Sequence, residues 1–274
     1  VPAKLSASLC ALLVAGTALT PARAQDLPTL EQMRTRDELG RPADELAAWQ
    51  SFAAPVLANP AADPALRAET GMHLALALMY AKQNAEGWAV MEAVKPDFAA
   101  LPVQPPFASQ FRAVAAQLLT ELGRTEEAAH EASAALAIAE AAANPRDAAM
   151  AQNALGGIAF ARGDLPAAEA GYCSARDIGL TASEPYHAMI VNDASSCGVV
   201  KYYLERADTL EAMRWASTYA YAHLPPDHPK MGNVLNGTYG VLMLYGRSGR
   251  GRTADPPPSG TGARTARRRC RRCL

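Results

Sequence analysis

The sequence predicts an all-α fold of stacked helix-turn-helix repeats, and three observations carry that expectation. Half of the 274 residues are hydrophobic while aromatic residues make up only 6%, a balance that favours closely packed helices over a sheet of β-branched and aromatic side chains. Prolines recur at Pro64, Pro105, Pro145, Pro185 and Pro226, at intervals of 41, 40, 40 and 41 residues, the mark of an internal repeat. Within the intervals, amphipathic runs come in pairs around a glycine or asparagine, so each interval reads as one helical hairpin.

The chain opens differently. Lys4, the apolar run "LSASLCALLVAGTAL" and the small-x-small triplet Ala22-Arg23-Ala24 predict a signal peptide over residues 1–24, cleaved before Gln25. The apolar run is too short for a bilayer span of about 20 residues. Cys10 falls inside it, with Leu9 where a lipoprotein site wants a small residue. The expected location is periplasmic or secreted, with no membrane span after cleavage. Residues 25–62 form an N-terminal segment with one orphan helix, "ADELAAWQSFAAPVLAN".

The repeat array is expected over residues 63–246. Its first hairpin is "PALRAETGMHLALALMYAKQ", Asn84 as the turn, then "AEGWAVMEAV". The second is "FASQFRAVAAQLLTEL", Gly123, then "RTEEAAHEASAALAIAEAAA". In the third, "PRDAAMAQNALGGIAFAR" leads through Gly163-Asp164 into "LPAAEAGYCSARDIGL". The fourth pairs "PYHAMIVNDASSCGVVKYYLERA" with "DTLEAMRWASTYAYAH", and a fifth begins with "HPKMGNVLNGTYGVLMLYGR". Proline suits a first helical turn, where its missing N–H breaks no bond. Glycine and asparagine suit turns because both accept a left-handed backbone.

Gly156, Gly163, Ala168, Tyr172 and Ala175 resemble the tetratricopeptide repeat pattern, in which small residues stand where paired helices cross and an aromatic fills the gap beside them. Ala116, Leu119, Ala128 and Ala135 align with it in the second hairpin, where Ala132 replaces the aromatic, and Tyr80 and Ala89 align in the first. The fifth opening is similar to the His-Pro-initiated variant of kinesin light chain. The resemblance implies a right-handed superhelix, an α-solenoid whose first helices line a concave groove. The spacing exceeds the family's roughly 34 residues, so helices or connections are longer here.

Cys173 and Cys197 stand about 10 and 14 residues from the expected turn near residue 183. On consecutive antiparallel helices they face each other, either as a disulfide, favoured by an oxidising compartment, or as two separate buried thiols.

Residues 247–274 break the pattern. They carry nine Arg and one Asp, or +8, so the remaining 246 residues carry 17 basic against 26 acidic, or −9. This Arg/Pro/Gly-rich stretch is expected to be disordered, and a frameshift product is one reading of it. Back-translated and read one base later, residues 249–255 spell Asp/Gly-Glu-Ala-Glu-Pro-Leu-Ile among other choices, the kind of helix the repeat lacks there. The helix with Leu235, Val241, Leu242 and Leu244 would then lose its partner.

Chemistry is sparse. "GRSGRGRT" from Gly246 to Thr253 matches a phosphate-loop spacing except for Arg252, but "ADPPPSGTG" cannot supply the helix that such a loop needs. Arg267, Arg268, Arg269, Arg271 and Arg272 have no interleaved aromatics, against a nucleic-acid partner. Cys270 and Cys273 are read as accidental rather than as a redox or metal pair. His73, His130, His187, His223 and His228 form no metalloprotease-type pair; His223, Asp227 and His228 span a loop, with His228-Pro229 as a helix start. Ser195-Ser196 lie in a helix without an evident base. No catalytic residue, metal ligand or cofactor is therefore assigned.

The expected function is a non-catalytic exported scaffold holding a protein or peptide, against the alternative of an accessory or sensor domain of an envelope enzyme. Asn153, Phe160, Tyr203 and Asn236, with Tyr80, are the groove candidates by register. Asparagine offers donor and acceptor to a peptide backbone, and tyrosine a broad contact with little entropy loss. Core packing is the competing reading for Phe160 and Tyr203.

Overall fold

The computed structural model describes residues 29–38 and 45–248. Residues 1–24, where a signal peptide is expected, and nearly all of the Arg-rich stretch, with Cys270 and Cys273, lie outside the described residues. Among these, every regular element is helical. The helices are α1 (Leu30–Glu38), α2 (Leu46–Ala58), α3 (Pro64–Tyr80), α4 (Asn84–Ala99), α5 (Ala108–Glu121), α6 (Thr125–Ala141), α7 (Pro145–Ala161), α8 (Leu165–Gly179), α9 (His187–Tyr203), α10 (Thr209–His223) and α11 (Pro229–Ser248). Pairs α3/α4, α5/α6, α7/α8 and α9/α10 are the hairpins, each stacked on the next, and α11 packs on α9 and α10. The molecule is a helical-repeat solenoid.

Local chemistry starts these helices where the prolines lie. Asp63 and Asn144 cap α3 and α7, their side chains accepting from the backbone N–H of Ala65 and Asp147, with Pro64 and Pro145 in the first turn. Asp164 caps α8 in the same way, accepting from Ala167 N–H, 3.1 Å away. A cap of this kind stabilises by about 1 kcal/mol. The other three repeat prolines stand outside: Pro105, Pro185 and Pro226 precede α5, α9 and α11 by two or three residues, shaping connections instead. Long helices and these long connections together account for the forty-residue period.

Turn geometry follows one rule and corrects one expectation. The hairpin turns place a left-handed residue at Lys82 (φ 63°), Gly123 (76°), Gly163 (77°) and Glu205 (57°). The equivalent of the turn glycine is therefore Lys82; Asn84 is the first residue of α4. Nor does α4 stop at Val94. It runs through Pro96 to Ala99, and this extra turn stacks Phe98 on Phe111 of α5, centroids 4.2 Å apart. Two helices, not one, precede the repeats, because the polar α1 is held from outside its own sequence. Met33 is wholly buried in the core and Arg34 makes a two-pronged bond to Glu69 of α3, at 2.5 and 2.6 Å. The orphan helix α2 seals the array by laying Trp49 flat on His73, 4.7 Å between centroids.

The tightest crossing is in the third hairpin. A Cβ on Gly171 would lie 2.6 Å from Gly156 Cα and 2.7 Å from its nitrogen, so α7 and α8 touch backbone to backbone. Ala168 and Ala175 are fully buried on either side. Tyr172 closes the space: a Cβ on Gly156 would meet its backbone nitrogen at 3.0 Å. At the other end of the array, Val241 of α11 is buried while Leu235, Leu242 and Leu244 are exposed.

Gly171→Ala is expected to destabilise by about 1–3 kcal/mol through overpacking against immovable backbone. Gly163→Ala, with open space around it, is expected to lose about 1–2 kcal/mol through its left-handed φ alone. Denaturant midpoints of the two variants measure both, and a neutral Gly171→Ala would disprove the backbone contact.

Candidate functional site

The first helix of each hairpin turns a face inward, and these faces meet in one groove. Its walls come from Met72, His73, Leu76 and Tyr80 on α3, from Gln110, Val114 and Gln117 on α5, and from Arg146, Asp147, Met150 and Asn153 on α7. Met189 and Asn192 of α9 and Lys230 of α11 complete it. The spacings of three, four and seven within a helix put each set on a single side. A second hollow continues past Tyr80 toward Lys82, Gly157 and Tyr172, sharing Gln117, Asn153, Asn192 and Lys230. The lining mixes methionines and aliphatics with amides and charged groups.

The polar groups are linked across helices, each to a residue about one repeat away. Gln110 Nε2 donates to Asp147 Oδ1 (3.0 Å) and Gln117 Nε2 to Asn153 Oδ1 (3.5 Å). Asn153 Nδ2 donates to Asp193 Oδ1 (2.6 Å), and Lys230 Nζ to Asn192 Oδ1 (2.9 Å). Lys230 also sits over the Tyr80 ring, 5.2 Å from its centroid, so the first hairpin and α11 meet across the hollow. A cation on a tyrosine face gains about 0.5–2 kcal/mol.

Burial sets the electrostatics. Asp193 is fully buried, and Oδ2 has no hydrogen-bond partner among the described residues. Loss of hydration pushes its carboxyl up to about 8, against the amides of Asn153 and Asn192 and the charge of Lys230, which pull it down. Lys230 is lowered by burial above all, with Lys82 adding to the effect and Asp193 opposing it. Asp147 is raised by burial, opposed by Gln110 and Arg146. At the rim, burial pushes Glu69 up, but hydrogen bonds from His73 and Arg34 outweigh it and leave it lowered.

The sequence-derived candidates divide. Tyr80 and Asn153 line the groove together. Phe160 and Tyr203, 42% and 56% exposed, are not core residues; they lie at the ends of α7 and α9, ring centroids 6.2 Å apart, outside the lining set. Asn236 is exposed on α11, also outside it. Cys173 and Cys197 are joined as a disulfide. The histidines are scattered among other tasks: His223 stacks on His187 at 4.3 Å, and His228 Nδ1 accepts from Lys230 N–H at the start of α11. Among the described residues no three His, Cys, Asp or Glu side chains gather as a metal site. None of the described helices is long and apolar enough to cross a membrane.

Gln117, Asn192, Asp193 and Lys230 escaped the sequence reading. Their signal was a polar residue interrupting an apolar helical face and returning one repeat later. Asn153 stands ten residues before the turn at Gly163, and the same count back from Gly246 led to Asn236; but Gly246 lies inside α11 and is no turn, so the two positions are not equivalent.

These features define a class: a solenoid of helical hairpins whose inner helices present an amide-lined groove. Among solved structures the chain is similar to BtubC (BKLC) from P. vanneervenii, with a TM-score of 0.50 and 16% identity, over 83% of this chain and 96% of that one. At that identity the likeness shows the fold. No family model matches the chain, and none of the curated proteins does.

Raising the carboxyl of Asp193 in the folded state has a sign. The unfolded chain ionises near 3.8 and the folded chain near 8, so between these values the unfolded state holds fewer protons and stability falls as pH rises. Asp193→Asn is expected to flatten that decline and to be more stable than the parent at pH 8. Urea unfolding of both proteins at pH 5 and pH 8 measures the difference.

Proposed function

We propose that the protein is an exported, non-catalytic scaffold of the tetratricopeptide type whose groove holds an extended segment of another polypeptide. The observation that carries this is the row formed by Gln117, Asn153, Asn192 and Lys230 along the groove wall. An extended peptide leaves its own N–H and C=O groups unpaired, and side-chain amides offer both a donor and an acceptor to them. The methionines of the lining, Met72, Met150 and Met189, accept varied side chains because thioethers repack readily. Export is supported by residues 1–24 and by the disulfide between α8 and α9.

A peptide library displayed on phage and selected on the full oxidised chain tests the reading. Enriched peptides are expected to bind the purified protein. Asn192→Ala and Lys230→Ala should each weaken them about tenfold, corresponding to about 1.4 kcal/mol. Tyr221→Ala, on the exposed side of α10, should leave binding unchanged. No enrichment, or affinity indifferent to both groove substitutions, would discard the proposal.

A further inference from the structure

The disulfide joins α8 of the third hairpin to α9 of the fourth, with Cα atoms 5.1 Å apart, and its two sulfurs sit in different surroundings. Cys197 is fully buried, while Cys173 is partly exposed. Arg176, three residues after Cys173, brings Nη1 to 3.9 Å from Cys197 Sγ. Asp177 pairs with this guanidinium at 2.6 Å, and the ring of Trp215 from α10 lies beneath it, 5.6 Å to the centroid. Exchange requires a sulfur that an incoming thiolate can reach and a departing sulfur that can bear charge. Cys173 meets the first condition. Cys197 meets the second through Arg176, whose permanent cation offsets the penalty that full burial puts on a thiolate.

Position couples this bond to the groove. Cys197 follows Asp193 by four residues, one turn further along the same side of α9, and Asp193 is the residue that bonds Asn153 of α7. Asn192, the residue before it, accepts from Lys230 of α11. The covalent anchor of α9 to the preceding hairpin is therefore one turn from the residues through which α9 enters the groove.

We infer that Cys173–Cys197 is a reducible staple: a dithiol reductant opens it at Cys173, Cys197 departs as the thiolate under Arg176, and α9 loosens as a result. One thiolate of the reductant bonds to Cys173 Sγ while the protein S–S bond breaks and its electron pair passes to Cys197. The reductant's second thiolate then displaces Cys173. The reductant leaves as a disulfide; the chain gains two electrons, and its two freed sulfurs take up the two protons the dithiol gave.

The test treats the oxidised full chain with graded dithiothreitol under native conditions, then alkylates and maps the cysteines. Disulfide loss should be first order in dithiothreitol and pass through a mixed disulfide at Cys173. Arg176→Gln should slow it about three- to tenfold and Arg176→Lys should retain most of the rate, as leaving-group basicity dictates. Without any substitution, the pH profile of alkylation in the reduced chain should give Cys197 a larger thiolate fraction than Cys173. Amide hydrogen exchange across residues 187–203 should rise several-fold on reduction, more than across 145–161. Free thiols in the untreated chain, a rate independent of dithiothreitol, equal rates for Arg176→Gln and its parent, a Cys197 thiolate fraction below that of Cys173, or unchanged exchange in α9 would each overturn the inference.

Discussion

A hairpin of two helices some fifteen residues long cannot hide its own apolar side, and this constraint governs the whole molecule. Each pair must lean on the next, and the closeness of the lean depends on what stands at the crossing. In the third hairpin the answer is no side chain at all, with Gly171 against Gly156. Elsewhere alanine serves: Ala116, Ala128 and Ala132 pack in one cluster with Leu119 and Ile158. Small residues within a hairpin and larger aliphatics between hairpins are what allow the stack to continue.

Stacking at a fixed interval also disciplines the polar groups. Asn84 reaches Glu121, Arg162 reaches the carbonyl of Thr125, and Arg206 reaches Glu169, each across 37 residues. These bonds run along the turn side, while Gln110–Asp147 and Asn153–Asp193 run along the groove. The turn-side pairs are mostly solvated and add little stability. Those in the groove are sheltered, where an unmatched group is costly; the second oxygen of Asp193 is such a group, held by the packing around it.

Much of this architecture was legible in the chain. The proline period and the glycines at 123 and 163 located the hairpins, because backbone requirements are written in single residues. Lys82 and Glu205 at the equivalent turns carried no such mark, since surrounding helices impose a left-handed backbone on residues that do not prefer it. The helix α1 was invisible because Met33 and Arg34 have their partners in distant parts of the chain. The groove was half legible: Asn153 and Tyr80 announced themselves by register, whereas Lys230 depends on how far the stack curls, a property no local window contains.

That curl limits how the array can be extended. Open solenoids grow by duplicating a unit, since an added pair merely lengthens the ramp. Here Tyr80 and Lys230, four units apart in order, already stand side by side, the ammonium 5.2 Å from the ring centroid. A duplication anywhere between them would pry that handshake apart and remove one wall from the hollow.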